Sequence, residues 1–123
     1  MGEKPFDYQQ AAHYQRKILM EKEARHKALL DLARSDFDAI VKFIDQNYHP
    51  KAIYQWGSLI EAEHFSEISD IDIAVEGIED PEIFFHLLGE VQKLTSFPLD
   101  IVQLEKIPEE YRREILKRGR KIK

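Results

Sequence analysis

A chain of 123 residues has room for one domain with its own core but not for two. Its 43% hydrophobic and 11% aromatic content is that of a folded globule, and the absence of cysteine excludes disulfides, thiolate zinc sites and cysteine nucleophiles. The net charge of −5 divides unevenly: Arg112 to Lys123 carry seven Lys or Arg and one Glu, a local +6 that leaves −11 on the remainder.

Phosphate repulsion makes so acidic a body a poor general nucleic-acid binder. No apolar run approaches the length of a membrane span and the first residues lack a signal-peptide pattern, so the cytoplasm is the expected compartment and no membrane partner is expected.

From Tyr8 to Asn47 there is neither Gly nor Pro, and the composition favours helix. Leu29, Leu32, Ala33, Phe37, Ile40, Val41 and Ile44 recur at three- and four-residue steps, an apolar stripe that predicts a core-facing helix. Tyr14 and Ile18 continue it weakly ahead of the charged stretch Glu21–Lys27. One unbroken helix over this segment would be roughly 60 Å long, about twice the width of a small domain. The first half is therefore expected either to project toward a partner or to fold back, with the capping-box pair Ser35 and Asp38 as the expected break. The domain reading is an N-terminal helical extension over 1–25 and a folded domain over 26–123.

His49–Pro50 ends the helix, and Ala52 to Trp56 reads as a strand. Gly57–Ser58 follows, then a short helical turn from Leu59. A polar loop leads to a second strand, Ile71–Val75. Asp80–Pro81–Glu82 combines an N-cap, a proline in the first turn and an acid at the positive end of the dipole. It opens a helix to about Leu94 that buries Phe84, Leu87, Leu88 and Val91. Leu99 to Leu104 is the third strand, and Pro108 opens a last helix that Gly119 caps. The alternation predicts an α/β fold, a small mixed sheet of about three strands packed with helices.

Asp70 and Asp72 are two apart beside a predicted strand, so their side chains share a face, while Ile71, Ile73 and Val75 take the other. Asp100 stands between Leu99 and Ile101, an acid in an otherwise apolar strand. Two carboxylates about 4 Å apart repel by about 4 kcal/mol at an effective dielectric near 20. Three that converge need a counter-charge, and Mg²⁺, which prefers oxygen ligands, supplies one. A pair of such ions suits phosphoryl displacement. Gly57 permits close backbone approach to a phosphate, and Ser58 offers a hydroxyl to the same oxygens, although Ser58 and Glu61 also fit a plain capping box. The five histidines show no metal-ligand spacing, His64 reads as a loop residue, and Tyr54 and Trp56 read as core.

The stretch YQWGSLIEAEHFSEISDIDIAV, from Tyr54 to Val75, resembles the signature of the minimal nucleotidyltransferases of the DNA polymerase β superfamily: Gly-Ser after the first strand, a spacer, then Ser-Asp-x-Asp. PLDIVQLEKIPEEYRREILKRGRKI looks like that family's third strand and closing helix, so the resemblance covers about Lys51 to Lys121. It implies the nucleotidyltransferase fold. It further implies that Gly57 and Ser58 bind the nucleotide, and that Asp70, Asp72 and Asp100 bind magnesium, Asp100 also helping to deprotonate the acceptor. Leu59 to Glu63 contain no Gly and no basic residue where many relatives have a small-Arg/Lys-Gly turn, and the eleven-residue spacer between Ser58 and Asp70 is one longer than the commonest form.

Minimal enzymes of this kind act with a helical HEPN-family toxin, and the resemblance implies an antitoxin that transfers AMP from ATP to a tyrosine of the toxin. Two rivals keep the fold: a module that neutralises its partner by occlusion through the N-terminal helix, and a transferase for a small-molecule hydroxyl. The same helix is a candidate homo- or hetero-oligomer contact.

Overall fold

The computed structural model describes residues 4–123. A single helix, α1, runs from Tyr8 to Tyr48, 41 residues with no break at Ser35. Asp7 caps it by accepting from the Gln10 N–H, and His49 ends it in the left-handed conformation at φ 50° before the buried Pro50. The predicted break fails for a physical reason. Ala33, Phe37 and Ile40 are buried in one continuous stripe, and a kink at Ser35 would turn part of it away from the core. Once nucleated, extending a helix by one residue costs little.

Leu32 corrects the predicted stripe: it is 52% exposed, whereas Leu29 and Val41 are half-buried at its edges. Before His26 the described side chains of α1 are exposed apart from Ala11, and Tyr14 at 61% and Ile18 at 37% meet no core. Thus α1 projects and does not fold back. Residues 1–3 of the expected 1–25 extension lie outside the described residues.

The remaining elements are β1 (Ala52–Trp56), β2 (Ile71–Glu76), α2 (Pro81–Val91), β3 (Leu99–Gln103), α3 (Glu109–Arg118) and β4 (Arg120–Lys121). The sheet order is β3-β2-β1-β4, with β2 and β3 parallel and the other pairs antiparallel. Parallel neighbours need a long crossover, and α2 provides it, capped by Asp80 through the N–H groups of Glu82 and Ile83. Phe84, Leu87 and Val91 are buried as expected.

The sheet has four strands where three were expected, because Arg120 and Lys121 pair with Gln55 and Tyr54. Gly119 makes that return possible by close approach, not by a left-handed turn. Its φ is −73°, but a Cβ there would lie 2.4 Å from the Ile115 carbonyl oxygen and 2.9 Å from that of Gln55.

Alternation assigns the two sheet faces different work. Ile53, Ile71, Ile73, Val75 and Ile101 form one core with α1 and α2. On the other face Ala74, Leu104 and Ile115 form a smaller cluster with Tyr54, Trp56, Val102 and Ile107, beneath α3. Among the described residues no helix is long and apolar enough to cross a membrane.

Candidate active site

The second sheet face is apolar only where α3 covers it; beyond that cover, at one end of the strands, it carries acids. Asp72 is opposite Trp56 on β1 and Asp100 on β3, so the three side chains form a row across the sheet. Asp70 joins them from the residue just before β2. One carboxylate oxygen from each of Asp70, Asp72 and Asp100 lies within 4.8 Å of the others. The three acids singled out from their spacing therefore meet.

Their environments differ. Asp70 is exposed and Asp100 half-buried, while Asp72 is 9% exposed. Burial, then the charges of Asp100 and Asp70, push the Asp72 carboxyl up to about 7. Burial and the Asp70 charge raise Asp100 as well. Among the described residues none of the three forms an ion pair with Lys, Arg or His. An all-oxygen donor set with unbalanced negative charge fits a hard divalent cation, which would supply the missing counter-charge.

Gly57 is bound to this cluster by sterics. Its φ is +80°, and a Cβ at this position would lie 2.0 Å from Asp72 Oδ2. Only glycine lets the turn after β1 close over the acid, a requirement that the dipeptide Gly57–Ser58 announces in the sequence without giving its cause.

The helical turn expected from Leu59 is not an α-helix. The Ile60 N–H reaches the Gly57 carbonyl at 3.3 Å in a turn, and a three-residue 3-10 segment, Ala62–His64, follows. Glu61 caps that segment without a side-chain bond, so the Ser58–Glu61 capping box does not form. So short a helical piece contributes little dipole, and any anion held here meets the turn's N–H groups and the half-buried Ser58.

The loop down to Asp70 is pinned by contacts that the sequence reading did not assign. Leu59 and Phe65 are buried, with Phe65 against Phe97 at a ring separation of 5.7 Å. His26 Nε2 and the Ala62 carbonyl are 2.9 Å apart. The Ser66 N–H donates to Ser69 Oγ at 3.0 Å, which fixes the approach to Asp70. Isolated apolar residues in the polar loop were the available signal for Leu59 and Phe65.

Beside the acids, α3 and the loop after β1 enclose a cleft of about 510 Å³. Trp56, Val102, Ile107 and Tyr111 supply apolar surface, and Gly57 and Ser58 form the side nearest the acids. His64, read as a loop residue, also lines it, 3.5 Å from Glu61. Part of the basic tail is engaged within its own helix, Arg118 with Glu114 at 3.1 Å and Arg113 with Glu109 at 3.6 Å.

Residues 38–123 match the family model described as Polymerase beta, Nucleotidyltransferase. No curated protein matches the chain. Among solved structures, the toxin–antitoxin complex MntA–HepT is similar at 21% identity and a TM-score of 0.54, over 72% of this chain and 69% of that one. A toxin–antitoxin structure with AMP-PNP is similar at 23% identity and a TM-score of 0.59, over 68% and 69%. Identities this low speak for the fold alone.

Proposed function

This chain belongs to the polymerase β nucleotidyltransferase family, and from that premise we propose that it transfers AMP from ATP to a tyrosine hydroxyl of a helical HEPN-family toxin, as its antitoxin. The observation that carries the reading is the convergence of Asp70, Asp72 and Asp100 beside the Gly57–Ser58 turn. The likeness to MntA–HepT and to the complex with AMP-PNP supports the choice of partner and nucleotide. Residues 26–123 are the transferase domain in this reading, residues 1–25 the extension, and the cytoplasm its compartment.

Asp70, Asp72 and Asp100 would hold Mg²⁺, a pair of ions in this reading, which when bound neutralises charge on the phosphate oxygens. The Gly57–Ser58 turn binds the triphosphate through backbone N–H groups and the Ser58 hydroxyl. Asp100, at the less buried end of the row, takes the proton of the acceptor hydroxyl as that oxygen bonds to the α-phosphorus. The bond from the α-phosphorus to the bridging oxygen then breaks and pyrophosphate leaves. The raised affinity of Asp100 for a proton suits a group that must accept one.

The test is mass spectrometry of a candidate HEPN-family toxin after incubation with this chain and Mg-ATP. Wild type is expected to add AMP to a tyrosine and silence the toxin. Asp100→Asn should bind the toxin while transferring about 10²- to 10⁴-fold more slowly, the usual cost of losing a positioned base. Silencing by both proteins with no adduct in either would replace the transferase with an occluding module. The long exposed first half of α1 is the feature that favours that rival.

A further inference from the structure

Besides its core stripe, α1 carries a second stripe that the core does not use. Tyr14, Ile18, Glu21, Arg25, Ala28 and Leu32 recur at alternating four- and three-residue steps, and all six are exposed. They lie roughly a third of a turn around the helix from Ala33, Phe37 and Ile40, out of reach of the sheet. Leu32, left out of the core, belongs to this stripe, which falls ahead of the family-matched residues 38–123.

Alternate three- and four-residue spacing is the pattern by which two helices wind about each other, and here the two central positions are charged. Charges in such a seam are tolerated where each meets its opposite, and that condition fixes direction and register. In a parallel pair of α1 helices Glu21 would face Glu21 and Arg25 would face Arg25. In an antiparallel pair one register sets Glu21 of each copy against Arg25 of the other. The same register matches Ile18 with Ala28, Tyr14 with Leu32 and Ala11 with Ser35, and it brings Lys17 beside Asp31 of the second copy. Lys22 approaches its own counterpart near the axis, with Glu21 next to it on each helix. A slip of seven residues either way sets both central charges against apolar side chains instead. Among the described residues neither Glu21 nor Arg25 forms an ion pair within the chain.

We propose that α1 joins a second copy of this chain as an antiparallel helix pair, its twofold axis midway between Glu21 and Arg25. The seam from Ala11 to Ser35 is about 37 Å long. Each projecting half lies along the domain-bound half of the other copy. It enters the groove of about 620 Å³ that Arg25, Ala28 and Leu32 form with the loop residues Phe65 and Glu67. The pairing covers Tyr14 and Ile18, which meet no core within their own chain.

Sedimentation equilibrium over a range of concentrations should find a species of twice the 14.5 kDa chain mass. Glu21→Arg and Arg25→Glu are exposed changes that leave the core alone. Each turns both central contacts into like pairs and should weaken self-association more than about tenfold. An equimolar mixture of the two variants should recover the dimer, because every central contact is again between opposite charges. The chain has no cysteine, so Ile18→Cys and Ala28→Cys report the register. Mixed and oxidised they should form a disulfide-linked dimer, and neither should do so alone. A wild-type chain that stays monomeric, or that pairs only with a different protein, would overturn the proposal. So would a dimer indifferent to both charge substitutions, a mixture of the two that stays monomeric, or linkage of Ile18→Cys to itself.

Discussion

The proposed metal-binding role of Asp72 conflicts with its surroundings. Its carboxylate must be negative to bind a cation, and its surroundings oppose that charge. The usual carboxylate value is 3.8, and here it rises to about 7 through burial and two neighbouring acids. A raised value in the folded chain means that folding favours the protonated form. That contribution to stability is complete below about pH 4 and disappears as pH rises through 7. The metal-free protein should therefore lose stability across this window, and Asp72→Asn, which carries no charge to bury, should lose less of it. Urea unfolding of both proteins at several pH values, without divalent ions, measures the difference. Protons and metal also compete for the same oxygens, so Mg²⁺ affinity should fall below pH 7. Gly57 allows a second check at this scale. Gly57→Ala would combine a positive φ with a Cβ 2.0 Å from Asp72 Oδ2, and strain of that kind costs about 1–3 kcal/mol. It is expected to lower stability and weaken Mg²⁺ binding together, as calorimetric titration and denaturant unfolding would show.

Among the elements, α1 does two different things along its length. From Leu29 to Ile44 it supplies the core residues Ala33, Phe37, Ile40 and Ile44 against the sheet. From Tyr8 to Arg25 it faces solvent almost throughout. Stability should track this division. Phe37→Ala removes a ring that is 2% exposed and should cost about 3–5 kcal/mol. Deletion of the residues before Arg25 should shift the unfolding midpoint little and leave Mg-ATP binding intact, while weakening association with a protein partner. Denaturant melts and a pull-down of the partner would check both halves. A truncated chain that fails to fold would show that the projecting half supports the core.

At the scale of the whole molecule, the two helices on one face and the third on the other leave the acid-bearing end of the sheet open. Three acids lie close together at that open end, and among the described residues none of them is paired with a cationic side chain. A ligand that binds there would be linked to folding. A ligand present at one hundred times its dissociation constant stabilises the folded state by about 2.7 kcal/mol. Mg-ATP should raise the Tm clearly, ATP with a chelator should raise it far less, and Asp72→Asn should respond to neither. A wild-type Tm indifferent to Mg-ATP would remove the metal-nucleotide site from this protein.

Local chemistry written along the chain determined much of this. The three- and four-residue apolar steps of α1, the Asp80–Pro81–Glu82 start of α2 and the acid inside β3 each act through neighbours in sequence, so periodicity and capping make them legible. The mixed sheet and the acids Asp70, Asp72 and Asp100 followed from the same signals and from the resemblance to a family. Tertiary structure decided the rest. Two residues cannot declare a strand, and β4 exists only because Gly119 lets the chain return against Gln55. Ser35 looked like a helix start, but a core stripe running through it held α1 straight. Leu59 began no α-helix; it lies in a turn, where its buried side chain anchors the loop. The proton affinity of Asp72 and the cleft between Trp56 and Tyr111 come from groups that only folding brings together. Burial and close approach depend on distance in space, which spacing along the chain does not encode.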